Sequence, residues 1–509
     1  MPWGRKHGEP GVAYFTRVTA FTGAAVPHLS GISDLEIFDG PSGPILYSAS
    51  FADGGMSAFS LAAGQAASYF DQIGYGASRG TLGVSDIDLI EVAGQPVLLP
   101  SGRYDDRTAI HRIGLDGGFD SVKALGAAPE FTGGFTTAAT LQIAGKSFMV
   151  AAQQGQDGFR SFRIRDDLTL EVKRQFPDDA GSFTGDISAI ESAQVAGRSF
   201  FFAASAQDAG VTSYWMGKWG NIKQRDSFGP TDGPGFSAPD ALETVVVDGV
   251  IYLLLGAAGS ASITVLRVNQ FGGLFFEDQA QDTLQTRFQG VSALESFTYQ
   301  DRAFVIAGGA DDGLTLFELT PGGKLFELES IADGTDTTLT NVSAIAATVI
   351  GSEVQVFAAG SGEAGITQFT IDLGTLAPPV LGTDNADVLT GGDGDDLLMG
   401  FDKADILNGG AGDDRLVDGA GVDVLTGGAG ADVFVLIADR RLDTITDFTL
   451  GEDRIDLSGL ERLYYYGDLD ITSKSYGALI RFGAERLRVE SNDGTPILPE
   501  DFSQDDFVF

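Results

Sequence analysis

Apolar residues in the first three quarters of the chain come in short runs separated by turns, and the pattern of runs repeats about every 52 residues. The opening runs are ISDLEIF at Ile32, VSDIDLI at Val84, FTTAATL at Phe135, ISAIESA at Ile187, PDALETV at Pro239, VSALESF at Val291 and VSAIAAT at Val342. They are offset by 52, 51, 52, 52, 52 and 51 residues. A second apolar run follows a turn, as in GRSFFFAAS from Gly197, DGVIYLLLG from Asp248 and DRAFVIAGG from Asp301. A third is anchored in the same phase by Phe59, His111, Phe162, Tyr214, Leu266, Phe317 and Phe369, and a fourth, such as KLFELES from Lys324, closes the unit. Runs of this length bounded by Gly and Asp read as strands. Four strands per unit and seven units predict a seven-bladed β-propeller over residues 8–376, with blades starting near 32, 84, 135, 187, 239, 291 and 342. The seventh unit has only three strands before Leu376. The run VAYFTRV at residues 12–18 is expected to supply the fourth by pairing with the strand near Gly365–Leu373, which leaves no open sheet edge. The 36 phenylalanines are then packing between blades.

The period changes to nine after a short linker at 377–381. Six nine-residue units run from Gly382 to Val435 without an insertion, each with aspartate sixth and a large apolar residue eighth. The aspartates are Asp387, Asp396, Asp405, Asp414, Asp423 and Asp432; the apolar series is Leu389, Leu398, Leu407, Leu416, Leu425 and Phe434. Each unit reads as one turn and one short strand whose apolar residue points inward, and two units make a coil of a parallel β-roll. A disordered Gly/Asp linker would need neither the phase nor the periodic apolar residue. The expected fold class is all-β: a seven-bladed propeller, a calcium-binding parallel β-roll at 382–435, and a β-rich cap at 436–509.

Three units, GGDGDDLLM, GGAGDDRLV and GGAGADVFV, match G-G-x-G-x-D-x-U-x, U being large and apolar. Glycines allow turns that present carbonyl oxygens inward, and the sixth-place carboxylate adds a hard anionic ligand suited to Ca2+. These units resemble the RTX (haemolysin-type) calcium-binding repeat. The stretch DTITDFTLGEDRIDLSGL from Asp443 is similar to the segment capping the roll in RTX proteases and other type I secretion substrates. The final Asp506-Phe507-Val508-Phe509 resembles their uncleaved export signal, and reads equally as an ordinary edge strand. The resemblance covers residues 382–509 and implies bound Ca2+, the type I secretion machinery as a partner, and release from a Gram-negative type of bacterium.

Alternate units fall on opposite edges of the roll. On the regular edge, sites are expected between Asp396 and Asp414 and between Asp414 and Asp432, with Gly391, Asp393, Gly409, Ala411, Gly427 and Ala429 as accompanying ligand positions. The other edge has lost glycines, although Asp384 and Asp402 add carboxylates, so Asp387, Asp405 and Asp423 are expected to bind more weakly. The 54 residues from Gly382 to Val435 hold twelve acidic and two basic residues, a net of −10. Such a segment repels itself without metal, so binding and folding should coincide.

The whole chain carries a formal charge of −39, which argues against nucleic acid and anionic membrane surfaces as partners. No run approaches the ~18 apolar residues of a membrane span, so membrane insertion is not expected. The first fifteen residues hold no apolar core of a cleaved signal. The absence of cysteine excludes disulfides and thiol chemistry.

Two sets of propeller carboxylates recur with the blades. Glu36, Asp88, Glu191, Glu243 and Glu295 occupy one place in the opening strand, the strand that lines a propeller's channel; Asp34 and Asp86 stand near its start. They would either bind a cation or be satisfied by amides and water, because unpaired buried charge is costly. Asp53, Asp105, Asp208, Asp311 and Glu363, with Asp106 and Asp312 beside two of them, lie in the turn between the second and third strands. Hairpin chemistry explains aspartate beside glycine there, but these turns should open on the ligand-holding face. Three scattered histidines, His7, His28 and His111, give little scope for a Ser-His-Asp triad, and no P-loop or dinucleotide fingerprint occurs. The preferred reading is a secreted calcium-binding protein whose propeller binds an extracellular glycan, protein or second copy of itself. The alternatives are a calcium-dependent hydrolase or lactonase, and a self-assembling surface-layer or matrix component.

Overall fold

The computed structural model describes residues 14–23, 26–74, 81–102, 104, 109–153, 155–178, 181–284, 286–374, 376–457, 460, 463 and 465–508, except for 125–133. They form two compact units, divided between Asp372 and Leu373. Among the described residues, no helix is long and apolar enough to cross a membrane.

The first unit is seven four-stranded antiparallel sheets, six of them built from consecutive strands. In the first, the strands are Ile32–Gly40, Gly43–Ser50, Gly55–Ser60 and Ser68–Gly74. The second strand of a blade reads as an unbroken apolar run because both its faces are covered: in Val250–Ala257 every residue after the first is buried. Fourth strands face solvent and alternate, as in Leu170–Phe176. Apolar packing is radial. Tyr252 and Leu254 of the fifth blade share a cluster with Val305 and Phe317 of the sixth, and Phe59 of the first shares one with Phe357 of the seventh.

The opening strands carry a further device. In most blades the register slips after the first residue of this strand, as between Ile32 and Asp34, leaving the second residue outside the ladder. That residue is serine in four of these blades, Ser292 stands at the corresponding place just before the ladder of the sixth, and each hydroxyl donates to a carbonyl of the next blade. Ser33 reaches Val84 at 2.6 Å, Ser85 reaches Thr136 at 2.8 Å, Ser188 reaches Pro239 at 2.6 Å and Ser292 reaches Val342 at 2.7 Å. Ser343 reaches back to Ile32 at 2.6 Å, joining the last blade to the first.

The seventh sheet runs Phe15–Phe21, Ile366–Ile371, Glu353–Gly360, Val342–Ile350, so its outermost strand comes from the start of the domain. Phe15 pairs with Ile371 and Phe21 with Ile366, with a bulge after Arg17. This strand lies later than the expected 12–18. Phe15 is its first buried residue, edge-on to Phe369 at 5.7 Å, and residues 12 and 13 lie outside the described ones.

The second unit is a parallel roll. One sheet stacks Val380–Leu381, Leu397–Met399, Arg415–Val417, Val433–Val435, Arg454–Asp456 and Phe507–Val508; the other begins with Val388–Thr390, Ile406–Ala411, Val424–Ala429 and Leu442–Phe448. Partners lie eighteen residues apart within the repeats, Leu398 over Leu416 over Phe434 and Leu389 over Leu407 over Leu425. These eighth-place residues form one buried stack. The roll starts inside the expected 377–381 linker, because Val380 pairs with Leu398 and so continues the eighteen-residue phase one strand upstream. In the cap, Leu442–Phe448 takes Glu485–Ser491 as a parallel partner, and the hairpin Asp470–Lys474 with Gly477–Phe482 completes that sheet. The last described residues form an edge strand, with Phe507 buried and Asp506 completing a capping box with Ser503.

Candidate functional site

On both edges of the roll the sixth-place aspartates form ladders. After the first of each ladder, Asp387 or Asp396, each accepts through Oδ1 the main-chain N–H of its counterpart one coil earlier. Asp414 accepts from Asp396 at 2.9 Å and Asp432 from Asp414 at 2.9 Å; on the other edge Asp405 accepts from Asp387 and Asp423 from Asp405, both at 2.7 Å. The second oxygen is turned toward the first-place glycine of its own unit. A Cβ on Gly391, Gly409 or Gly427 would press on Oδ2 of Asp396, Asp414 or Asp432, and one on Gly391 or Gly409 also on the carbonyl oxygen of Gly409 or Gly427. Glycine is required there because the space is a cradle of carboxylate and carbonyl oxygens. Ala411 and Ala429 lie in register in the strands flanking it, and Gly412 N–H donates to the Ala429 carbonyl at 2.9 Å.

Oδ2 of Asp405, Asp414 and Asp423 is buried without a hydrogen-bond donor. Leaving such an oxygen unmet costs about 1–3 kcal/mol, more when charged. Burial, ahead of neighbouring aspartates, pushes the carboxyls of Asp414 and Asp423 up to about 7 and that of Asp432 to about 6. An all-oxygen donor set of carboxylates and main-chain carbonyls fits a hard cation such as Ca2+. The less regular edge shares this geometry through Asp405 and Asp423. Asp393, Asp384 and Asp402 are exposed, and Asp387 is half-buried with Oδ2 accepting from Thr383.

Both ladders run past the nine-residue units. Asp443 accepts the N–H of Asp423 and Asp453 that of Asp432, each at 3.0 Å, and Asp447 accepts from Gly427 and Gly428 at 3.0 and 2.9 Å. Reading for complete repeats missed them. Their signal is the surviving triplet of aspartate, any residue, large apolar: Asp443 with Ile445 and Asp453 with Ile455 repeat the spacing of Asp423 with Leu425.

The propeller encloses a cavity of about 1110 Å³ lined by the seven opening strands. Asp34, Glu36, Asp86, Asp88, Glu191, Glu243 and Glu295 all line it, and none of its lining residues is Lys, Arg or His. Several are held by the next blade. Asp34 accepts from Ile87 N–H at 2.7 Å, Asp86 from Ala138 N–H at 2.8 Å and Glu295 from Ala347 N–H at 2.9 Å. Glu191 accepts from the Thr244 hydroxyl at 3.1 Å and Glu243 from that of Ser296 at 2.7 Å. Asp88 Oδ2 is buried and unpartnered. Burial, then mutual repulsion among most of the set, raises all seven carboxyls, that of Glu191 to about 7.

The turn carboxylates serve the backbone. Asp53 accepts from Ser30 N–H at 2.9 Å, Asp208 from Gly185 N–H at 2.7 Å and Glu363 from Thr340 N–H at 3.0 Å, each fastening its turn to the segment entering the blade. Asp312 of the sixth blade instead accepts from Asn341 N–H at 2.7 Å, in the segment entering the seventh, whereas Asp311, raised to about 6 chiefly by burial, keeps Oδ1 unpartnered. Neither Asp53, Asp208 nor Asp311 lines the cavity; Phe51, Ala52 and Ser361 from such turns do. Asp105 and Asp106 lie outside the described residues.

The channel predicts a pH dependence of stability. A carboxyl raised on folding stabilises the protonated native state fully below its unfolded pKa, and that stability is lost as pH rises through the folded value. For Glu191, moving from 4.5 to about 7 corresponds to a loss on the order of 3 kcal/mol. Without divalent cations the propeller should therefore melt several degrees lower at pH 8 than at pH 5. Glu191→Gln should reduce that difference, and equal slopes in differential scanning calorimetry of the two proteins would refute the assignment.

The family model for the RTX calcium-binding nonapeptide repeat (4 copies) matches residues 381–416 and 399–434. No curated protein matches the chain. Among solved structures, a periplasmic gluconolactonase of Pseudomonas aeruginosa is 17% identical, with 60% of this chain and 86% of that one covered and a TM-score of 0.46. A functionally unknown protein of Desulfotomaculum acetoxidans is 13% identical, with 63% and 98% covered and a TM-score of 0.43. The Dos1 propeller is 7% identical, with 67% and 78% covered and a TM-score of 0.44. Likenesses this distant bear on neither ligand nor activity. The repeat match and the oxygen cradles agree: residues 381–434 are RTX calcium-binding nonapeptide repeats, carried by a chain whose other unit is a seven-bladed β-propeller.

Proposed function

We propose that the protein is a secreted calcium-dependent binding protein, exported by a type I system with its roll unfolded and locked into shape by calcium outside the cell. The observation carrying this reading is the row of buried, donor-less aspartate oxygens in the roll, whose charge a bound cation would neutralise. A repeat segment of net charge −10 resists compaction where calcium is scarce and folds where it is millimolar. The propeller is the recognition module. Its cavity, lined by nine carboxylates and no base, is complementary to a ligand that is positively charged or bridged by a divalent cation, on an extracellular glycan, a protein or a second copy of the chain. The test is fractionation of a producing culture into cells, surface wash and medium, with and without a chelator. Release from the surface only by chelator is the expected result. Protein free in the medium under both conditions would overturn the surface-binding role and favour a calcium-dependent hydrolase or lactonase; retention in the cells would overturn export.

A further inference from the structure

We propose that Asp418, Asp423 and Asp443 together form a Ca2+ site that fastens the last repeat coil to the cap. Five of the six repeat units begin with glycine, and the fifth begins with Asp418. At this one first place the edge gains a carboxylate instead of the open cradle. Asp418 avoids a clash by turning Oδ1 onto two amides, Gly419 N–H at 2.5 Å and Ile437 N–H at 2.9 Å, the second already in the cap. Its Oδ2 is left buried with no donor, as is Oδ2 of Asp423. Asp443 completes the set from beyond the repeats, its Oδ1 taking the Asp423 N–H at 3.0 Å.

One oxygen from each of the three carboxylates lies within 4.8 Å of the others, and the residues are 0%, 0% and 6% exposed. Three carboxylate oxygens gathered this closely suit a hard divalent cation, and Ca2+ takes oxygen ligands at about 2.3–2.6 Å in flexible geometry. Among the described residues none of the three is in a salt bridge, and the nearby charges of Asp439 and Glu485 have the same sign. Three buried like charges without a counter-ion are several kcal/mol unfavourable. A divalent cation removes that cost with the donors already in place.

The position of Asp443 extends the consequence. Its strand pairs in parallel with Glu485–Ser491, Asp443 opposite Leu487, so an ion held there fixes the joint on which the C-terminal hairpin is stacked. The inference rests on the calcium-dependent reading above, but this site can fail alone.

Calcium stoichiometry of the full chain, measured by equilibrium dialysis at millimolar calcium, provides the test. Asp418→Asn, which keeps the size and an amide-accepting oxygen, should bind one ion fewer than the unmodified chain. Hydrogen exchange in Glu485–Ser491 should accelerate about tenfold, with the propeller unchanged. Asp443→Asn should lose the same ion, and the double variant no more than either alone. Unchanged stoichiometry in both single variants, or two ions lost in the double, would overturn the proposal. Should the variants not fold, crystals of the unmodified chain grown in calcium decide it: an ion between Oδ2 of Asp418 and Asp423 supports the site and water alone overturns it. Absence of any bound ion, including at Asp414 and Asp432, would instead refute the calcium reading as a whole.

Discussion

Replacing Asp396, Asp414 and Asp432 together by alanine is expected to abolish calcium-induced ordering of the roll while leaving the propeller folded. These residues supply the sixth-place carboxylates of the regular edge, and successive coils are tied through Oδ1 of Asp414 and Asp432, so the substitution removes ligands and ladder bonds at once. An ion present at a hundred times its dissociation constant contributes about 2.7 kcal/mol. Losing two sites therefore removes about 5 kcal/mol, comparable to the whole stability of a small domain. Far-UV circular dichroism and proteolysis with and without calcium report it: the variant should keep the propeller's strand signal and show no calcium-dependent protection of the C-terminal part. The same calcium response in variant and parent would refute the role of this edge.

Deleting residues 1–22 should be equally severe for the propeller. The deletion removes the strand Phe15–Phe21 and with it the outermost strand of the seventh sheet, exposing the edge of Ile366–Ile371. It also removes the bond from Phe15 N–H to Glu329 at 2.7 Å and the ion pair of Arg17 with Asp336 at 3.4 Å, which tie that strand to the sixth blade. A bare apolar edge is a template for association, so loss of cooperative melting together with aggregation at micromolar concentration is expected. Light scattering and calorimetry check this. A monomer melting as the parent does would mean that the ring closes without this strand.

The comparison of sequence with structure turns on which information is local. The fifty-two-residue and nine-residue periods each specify a unit that cannot bury its own apolar face, so repetition alone implies stacking. Leu389, Leu398, Leu407, Leu416, Leu425 and Phe434 could be placed in one core from phase alone, and they are. The channel glutamates were visible as a recurring place in the opening strand, but their condition was not. Whether a carboxylate is bonded, repelled or orphaned depends on the next blade, fifty residues away, which supplies Ile87 N–H to Asp34 and the Thr244 hydroxyl to Glu191. Asp418 shows the same limit. In sequence it is a lost glycine; in the structure it meets Ile437 and Asp443 from the following coil.

The sequence by itself determined the all-β class, the seven blades, the phase of the roll and the calcium chemistry of its aspartates, because each follows from residue type at a fixed spacing. Only the tertiary structure decided which carboxylate oxygens are left without donors, that serines at a register slip join blade to blade, and that the aspartate ladders continue into the cap. Those are matters of which distant backbone amide arrives at a given side chain, and spacing along the chain does not encode it.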